Sequence, residues 1–188
     1  MTEQNLTEQP FHVPDVTRSD EMPSKWLGKI ITIPVDAEIL DLDGQKKVAR
    51  YRHFEFFADE PGYLGGTDEH PQPLTYLAAG VAFCLLTQLQ RTARQLKKQL
   101  TGGRCHAELD IHSDGSILKG TYTSGADAFR IHLEVESPEP PQVIAHIVRL
   151  AQQSCYAEAV VQTPLPIAHT YTLNGQTLEI PTEPAQRA

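Results

Sequence analysis

The sequence predicts an α+β fold in which antiparallel β-strands pack against one long helix. Three features support this prediction. Residues 73–100 carry apolar side chains at helical spacing, residues 105–112 and 129–136 alternate between apolar and polar side chains as half-buried strands do, and a second, shorter helical pattern follows Pro141. We therefore expect antiparallel sheets that cover a long central helix, together with a shorter second helix.

The predicted long helix, residues 73–100, carries a cysteine in its most apolar part. Residues Tyr76 to Leu86 are apolar without a break, which is typical of a helix that contacts protein on all sides. Eleven residues are too few to cross a bilayer, so we interpret the segment as a core helix. Gly80 precedes Cys84 by one turn on the same face, which leaves room beside the sulfur for a small substrate or a second strand.

The remaining elements are predicted from turn residues and strand patterns. Strands are expected at 29–40 and 46–58, on either side of an Asp-Gly turn, and a loop over 59–71 leads into the helix. After the helix we expect a three-stranded meander (105–112, 117–123, 129–136), the second helix and a last hairpin (168–173, 176–180). Residues 1–25 are polar and read as an extended or disordered arm, so 26–188 should form a single domain.

The composition argues against a nucleic-acid-binding protein and against a membrane protein. The chain has 188 residues, a formal net charge of −8 and a pI near 5.4, which argues against nucleic acid or an anionic membrane as the main partner. No apolar run reaches transmembrane length, and the polar N-terminal segment does not resemble a signal peptide. We therefore expect a cytoplasmic protein.

The three cysteines do not form a disulfide framework, so each needs its own interpretation. Cys105 lies on the apolar face of a predicted strand and is best explained as a buried packing residue. Cys84 and Cys155 lie on the apolar faces of the two helices, 71 residues apart (155 minus 84). Taken alone, either could be a packing residue or a reactive thiol, and periodicity does not establish that they meet.

The histidines give no sign of a metal site. His106 and His112 point outward on a predicted strand, and no grouping of His, Cys, Asp or Glu has the spacing of zinc ligands. No glycine-rich phosphate loop follows a strand either. We expect neither a metal nor a cofactor.

Three segments resemble the OsmC/Ohr family of osmotically induced and organic hydroperoxide resistance proteins. The run Pro73-Leu74-Thr75-Tyr76-Leu77-Ala78-Ala79-Gly80-Val81-Ala82-Phe83-Cys84 is similar to the central-helix motif of that family. Asp59, Pro61 and Leu64-Gly65-Gly66 resemble its approach loop, and Ala151 to Cys155 followed by Pro164 to Ile167 resembles its second-cysteine segment. The resemblance extends from about Lys46 to Ile180 and implies an OsmC-like fold in an intertwined homodimer, with two active sites at the subunit interface.

The resemblance also implies chemistry. Cys84 would attack a small organic hydroperoxide and become a sulfenic acid, Cys155 would resolve it to a disulfide, and an external thiol or dithiol would reduce that disulfide. A nearby second thiol makes chemical sense because it traps the sulfenic acid before irreversible oxidation.

One position departs from the family pattern. Active members carry a glutamate directly after the matching proline, which holds an arginine over the reactive sulfur, and here that position is Leu74. Because an ordinary thiol is mostly protonated at neutral pH, a cation must compensate. The candidates are Arg50, Arg52 and Arg91. The carboxylates that could replace the glutamate are Glu55, Glu60 and Glu69.

The missing glutamate leaves a second hypothesis open. The chain could be a non-catalytic OsmC-like domain whose apolar cleft at the dimer interface binds a small hydrophobic ligand.

Overall fold

A computed structural model describes residues 30–180 of the chain. The predicted N-terminal arm, 1–25, lies outside these residues. The chain divides into two compact units, Met1–Leu77 and Ala78–Ala188.

The first unit contains a three-stranded antiparallel sheet. Its strands are β1 (Asp36–Ile39), β2 (Lys47–Tyr51) and β3 (Phe54–Ala58), in the order β1-β2-β3. The prediction of one continuous strand over 46–58 is wrong, because the chain reverses at Arg52 and His53 and pairs Tyr51 with Phe54. Arg52 adopts a positive φ of 58°, a turn conformation that residue type does not reveal. The first strand is also shorter than the predicted 29–40.

The long helix α1 (Pro73–Gln95) begins at the predicted proline but ends five residues before the predicted Leu100. Lys97 adopts a left-handed φ of 55°, and the backbone N–H of Lys98 donates to the carbonyl of Ala93 over 2.8 Å. This is the Schellman arrangement, in which the chain closes the helix end by satisfying its last carbonyls. Apolar periodicity continues past that closure, which is why the sequence overestimates the helix.

By length and composition alone, α1 could cross a membrane, a property shared by the core helices of globular proteins. No other helix among residues 30–180 has that length and composition.

The second unit contains a long antiparallel hairpin of β4 (Gly102–Asp114) and β5 (Thr123–Glu136). The predicted middle strand of the meander, 117–123, is wrong, because Ile117–Lys119 forms a short 3₁₀ turn between β4 and β5. Two helices follow, α2 (Pro141–Gln153) and the unpredicted α3 (Tyr156–Gln162). The last hairpin is present but shorter than predicted, with β6 (Thr172–Leu173) and β7 (Gln176–Thr177).

The core of the second unit lies where α1 meets α2. Both helices contribute residues spaced by four: Leu85, Leu89 and Ala93 from α1, and Ile147 and Ala151 from α2. Cys155, two residues after the end of α2, continues the face of α2. The apolar face of the β4–β5 hairpin packs against this cluster through Cys105, Ile131, Leu133 and Val135. The predicted α+β class, with antiparallel sheets, a long helix and shorter helices, is confirmed.

One expectation about α1 is wrong for the single chain. The stretch from Tyr76 to Leu86 is not enclosed on all sides, since the Phe83 side chain is 68% exposed and Gly80 faces open space. Among residues 30–180, the helix therefore buries one face and leaves another apolar face uncovered.

Candidate functional site: two thiols in the helical core

Cys84 lies on α1, one residue before the buried Leu85. Its side chain is half-buried and packs against the core cluster formed by α1 and α2. The helix position follows from the sequence, since α1 begins at Pro73, where proline suits the first turn, and continues through good helix formers. The thiol is thus anchored on a well-packed helix.

Cys155 occupies the junction between α2 and α3. Its backbone N–H donates to the carbonyl of Gln152 over 3.1 Å, and its own carbonyl accepts from the N–H of Ala159 over 3.1 Å. The residue therefore closes one helix and opens the next. Its side chain is buried within the core cluster, at 2% exposure.

The structure brings the Cys84 and Cys155 thiols together. Burial raises the pKa of Cys155 to about 11, and the adjacent Cys84 thiol contributes to the same shift. The backbone N–H of Glu158 favours the thiolate and opposes part of the change. Two thiols 71 residues apart in the chain (155 minus 84) are therefore neighbours in one apolar core, with Cys155 held in its protonated form at neutral pH.

The third thiol, Cys105, lies on β4 and packs half-buried against the same cluster. Burial raises its pKa, and the charge of Glu158 adds to that effect. The three cysteines are free. The position of Cys105 fits its interpretation as a packing residue, which was based on the strand pattern.

Glu158 is the residue near this site that sequence reasoning missed. It lies in the first turn of α3, and its Oε1 atom is buried with no hydrogen-bond partner among residues 30–180. Its charge acts on both Cys105 and Cys155. Glu158 lies three residues after Cys155, and this spacing brings the two residues close only if a helix starts between them. The sequence pattern did not predict that helix.

In the first unit, the loop that precedes α1 is organised around Asp59, whose side chain is fully buried. Its Oδ2 accepts hydrogen bonds from the Thr67 N–H (3.0 Å), the Thr67 hydroxyl (2.8 Å) and the Glu69 N–H (3.2 Å). Burial alone would raise the pKa of Asp59, but these bonds and the N–H of Glu60 outweigh it and hold the pKa well below its usual range. The loop segment that resembles the family is thus built around a buried carboxylate.

The candidate cations differ in their partners. Arg50 forms ion pairs with Glu38 and with Glu55, the latter over 2.9 Å, and these bonds raise the pKa of the arginine. Arg52 lies in the β2–β3 turn. Arg91 lies on α1, half-buried and two turns after Cys84. Within residues 30–180, neither Arg52 nor Arg91 takes part in an ion pair.

The first turn of α1 contains no acidic residue, so Leu74 has no acidic neighbour there that could replace the family's glutamate. Two of the three alternative carboxylates are engaged elsewhere in the first unit: Glu55 with Arg50, and Glu69 with Lys46 over 2.9 Å. Glu60 forms no ion pair within the described range.

Two of the histidines, His106 and His112, lie at exposed positions of β4. The His112 side chain contacts Asp127 over 2.8 Å, and the His106 side chain contacts Glu108 over 3.4 Å. Among residues 30–180, no group of three or more His, Cys, Asp or Glu side chains is arranged to hold a metal ion.

Comparison with solved structures shows which fold this is. The chain is similar to the OsmC-like protein from Mycoplasma pneumoniae (TM-score 0.57, 20% identity, covering 70% of this chain and 88% of that one). It is also similar to an organic hydroperoxide resistance protein from Elizabethkingia anophelis (TM-score 0.52, 21% identity, 71% and 91% covered). A third relative is the organic hydroperoxide resistance protein OsmC from Legionella pneumophila (TM-score 0.53, 16% identity, 71% and 91% covered).

At these identities the likeness establishes the fold. No curated protein sequence matches the chain. A sequence model of the OsmC family, described as OsmC-like protein, matches residues 66–170, which include α1, both long strands, Cys84 and Cys155. Because this match covers more than half of the 188 residues, the chain belongs to the OsmC-like protein family.

Proposed function

We propose that this protein reduces organic hydroperoxides through a thiol cycle, with Cys84 as the nucleophile and Cys155 as the resolving thiol. The observation that carries the proposal is the contact between these two thiols inside the core that joins α1 and α2. Two solved relatives are named organic hydroperoxide resistance proteins, which supports the same class of substrate.

The cycle balances with an external reductant. The Cys84 thiolate attacks one peroxide oxygen, so an S–O bond forms, the O–O bond breaks and an alcohol leaves. Cys155 then attacks the sulfenic sulfur, which forms the disulfide and releases water. A thiol or dithiol from outside the protein reduces the disulfide and restores both thiols.

The proposal includes a homodimer. The uncovered face of α1, with Phe83 and Gly80, supports a second chain packing there. In that arrangement the Cys84 site lies at the subunit interface, and Arg50, Arg52 and Arg91 remain the candidate cations that keep Cys84 as a thiolate. Arg52 and Arg91 are favoured over Arg50, since the latter already pairs with Glu38 and Glu55.

Two further predictions belong to this proposal. The family match spans residues on both sides of the boundary at Leu77, which supports one OsmC-like domain over 26–188. A cytoplasmic location is consistent with free thiols, since a reducing compartment keeps such a cycle supplied.

The experiment compares wild type with three single cysteine variants after treatment with stoichiometric cumene hydroperoxide. We expect wild type to form one intramolecular disulfide per chain, detected by mass spectrometry, and Cys84→Ser and Cys155→Ser to form none. Cys155→Ser should instead retain the sulfenic acid at Cys84, because no second thiol intercepts it, and a second equivalent of the peroxide should oxidise it to sulfinic acid. Cys105→Ser is the matched control and should behave as wild type. Finding all thiols unchanged in wild type would refute the proposal.

Two observations favour a second function. The first turn of α1 lacks the carboxylate that the family's arginine requires, and the apolar face of α1 is open. A non-catalytic domain that binds a small apolar ligand at the dimer interface would fit both facts. It predicts slow, unselective oxidation of the thiols and an apolar ligand that copurifies, which native mass spectrometry detects.

A further inference from the structure

The side chain of Glu158 has no internal partner, although part of it is buried. Glu158 is half-buried in the first turn of α3, and its Oε1 atom is buried with no hydrogen-bond partner among residues 30–180. Within the same range, Glu158 takes part in no ion pair. It does not cap α3 either, since the backbone N–H of Cys155, which precedes the helix, donates to the carbonyl of Gln152. A partly buried carboxylate without a donor or a counter-ion is unfavourable and calls for a specific explanation.

The same side chain lines a cleft of about 190 Å³ in the second unit. Most of the lining is apolar and comes from three elements: Val81 of α1, Phe129 and Ile131 of β5, and Val161 of α3. Val81 is buried, so the apolar part of the cleft reaches into the protein. Among the described residues that line the cleft, Glu158 is the one that carries a charge. The cleft therefore combines apolar walls with a single carboxylate.

Two amide side chains complete the lining of the cleft. They belong to Gln152 of α2 and to Gln162, the last residue of α3, and both residues are exposed. An amide oxygen and a carboxylate accept hydrogen bonds, whereas an ammonium group donates three. The polar part of the lining can therefore accept all the hydrogen bonds of one ammonium group, and the carboxylate supplies the opposite charge.

The volume of the cleft limits the apolar part of a ligand. An apolar protein cavity of about 150 Å³ accommodates benzene. A cleft of about 190 Å³ therefore suits one ring or a short alkyl chain with a single polar group. Apolar walls with a few polar groups that fix the orientation of the ligand are typical of small-molecule sites.

We propose that this cleft binds a small organic cation, a primary amine with a compact apolar body, whose ammonium group pairs with the Glu158 carboxylate. The apolar body lies against Phe129 and Val161, and the ligand gives the carboxylate the counter-ion that the described part of the chain does not provide. Neither Cys84 nor Cys155 lines the cleft, so the site is separate from the thiol cycle and goes beyond the function proposed above. It also differs from an apolar cleft between two subunits, because its lining belongs to the second unit of one chain.

The test is an NMR titration of the reduced wild-type protein at pH 7 with three probes of nearly the same size. Phenethylamine carries a positive charge, 2-phenylethanol carries none, and phenylacetate carries a negative charge. We expect a dissociation constant of about 1 mM or lower for the amine. Binding of the alcohol should be at least tenfold weaker, because it lacks the charge-assisted hydrogen bond, and phenylacetate should not bind measurably. The side-chain amide signals of Gln152 and Gln162 should shift as the amine binds.

Three variants separate the contributions of charge and of space. Glu158→Gln keeps the shape of the side chain and removes its charge, so the amine should bind at least tenfold more weakly while the alcohol binds as it does to wild type. Val161→Phe occupies part of the cleft and should weaken binding of both probes. Glu134→Gln, at an exposed position of β5 outside the cleft, removes the same charge and is the matched control. It should bind the amine as wild type does.

The inference is overturned if the amine binds no more tightly than the alcohol, or if Glu158→Gln binds the amine as tightly as wild type does. Amine-induced shifts that leave the signals of Gln152 and Gln162 unchanged overturn it as well. Should Glu158→Gln not fold, the three probes on wild type decide: the order amine, alcohol, phenylacetate supports the inference, and any other order refutes it. The peroxide experiment described above is independent, so failure of either leaves the other standing.

Discussion

Gly66 shows how a single residue shapes the loop that leads into α1. A Cβ atom at this position would lie 1.8 Å from the carbonyl oxygen of Glu60 and 2.7 Å from Oδ1 of Asp59. These distances are shorter than a Cβ atom tolerates, so any other residue here forces the backbone carbonyl of Glu60 to move. At Gly62, in the same loop, the equivalent position has no atom within 4 Å from the other residues of the described range, its two chain neighbours aside.

This contrast gives a matched pair of variants. We expect Gly66→Ala to lower the free energy of unfolding by about 1 to 3 kcal/mol, because the backbone carbonyl of Glu60 must move. Gly62→Ala should change it by no more than about 0.5 kcal/mol. Urea denaturation measures both. Equal stability of the two variants would show that the loop relaxes around Gly66 without cost.

At the scale of elements, the junction of α2 and α3 places a thiol in the core. Ile147, Ala151 and Cys155 continue one face across the end of α2, so Cys155 is buried as the helix residues before it are. Burial favours the neutral thiol and raises its pKa to about 11, whereas a cysteine in an unfolded chain titrates near 8.5. The folded state therefore holds this proton to higher pH than the unfolded state does.

The raised pKa of Cys155 determines how the free energy of unfolding changes with pH. The contribution of the buried thiol to stability is complete below about pH 8 and is lost as the pH rises to about 11. We expect the free energy of unfolding of the reduced protein to fall by about 2 to 3 kcal/mol more over this interval in wild type than in Cys155→Ser, whose hydroxyl does not titrate there. Denaturation under reducing conditions at pH 8 and pH 11 measures the difference. Parallel curves for the two proteins would contradict a raised Cys155 pKa.

At the scale of the whole molecule, α1 is only partly covered by its own chain. Leu85, Leu89 and Ala93 are buried in the core, whereas Phe83 is 68% exposed and Gly80 has nothing within 4 Å of a Cβ position among the described residues. An apolar helix face that stays uncovered is costly in water and is typical of an interface between subunits. The proposed dimer removes that cost.

Phe83→Glu tests the dimer directly. We expect wild type to be a dimer at micromolar concentration and Phe83→Glu to be a monomer, because a carboxylate would be buried without a partner at the interface. Gln95→Glu, at an exposed position in the last turn of α1, adds the same charge and should remain a dimer. Sedimentation velocity measures the mass of each. A monomeric wild type, or a dimeric Phe83→Glu, would rule out this interface.

The sequence by itself determined the order of most elements, the start of α1 at Pro73 and the apolar faces that carry Cys84 and Cys155. These features depend on local periodicity and on the residues at helix starts and turns, which the chain displays in order. Its resemblance to the OsmC family also lies in contiguous motifs around Cys84, and the family match over residues 66–170 confirms it.

Only the tertiary structure decided that Cys84 and Cys155 are neighbours and that the backbone N–H of Glu158 lies beside Cys155. Periodicity states which face of a helix is buried, but it does not state which other face packs against it, because that choice depends on contacts between residues far apart in the chain. The tertiary structure also decided the left-handed conformations of Arg52, which splits a predicted strand, and of Lys97, which ends α1 early. These conformations depend on turn closure and on packing between distant residues, which the residue type alone does not reveal.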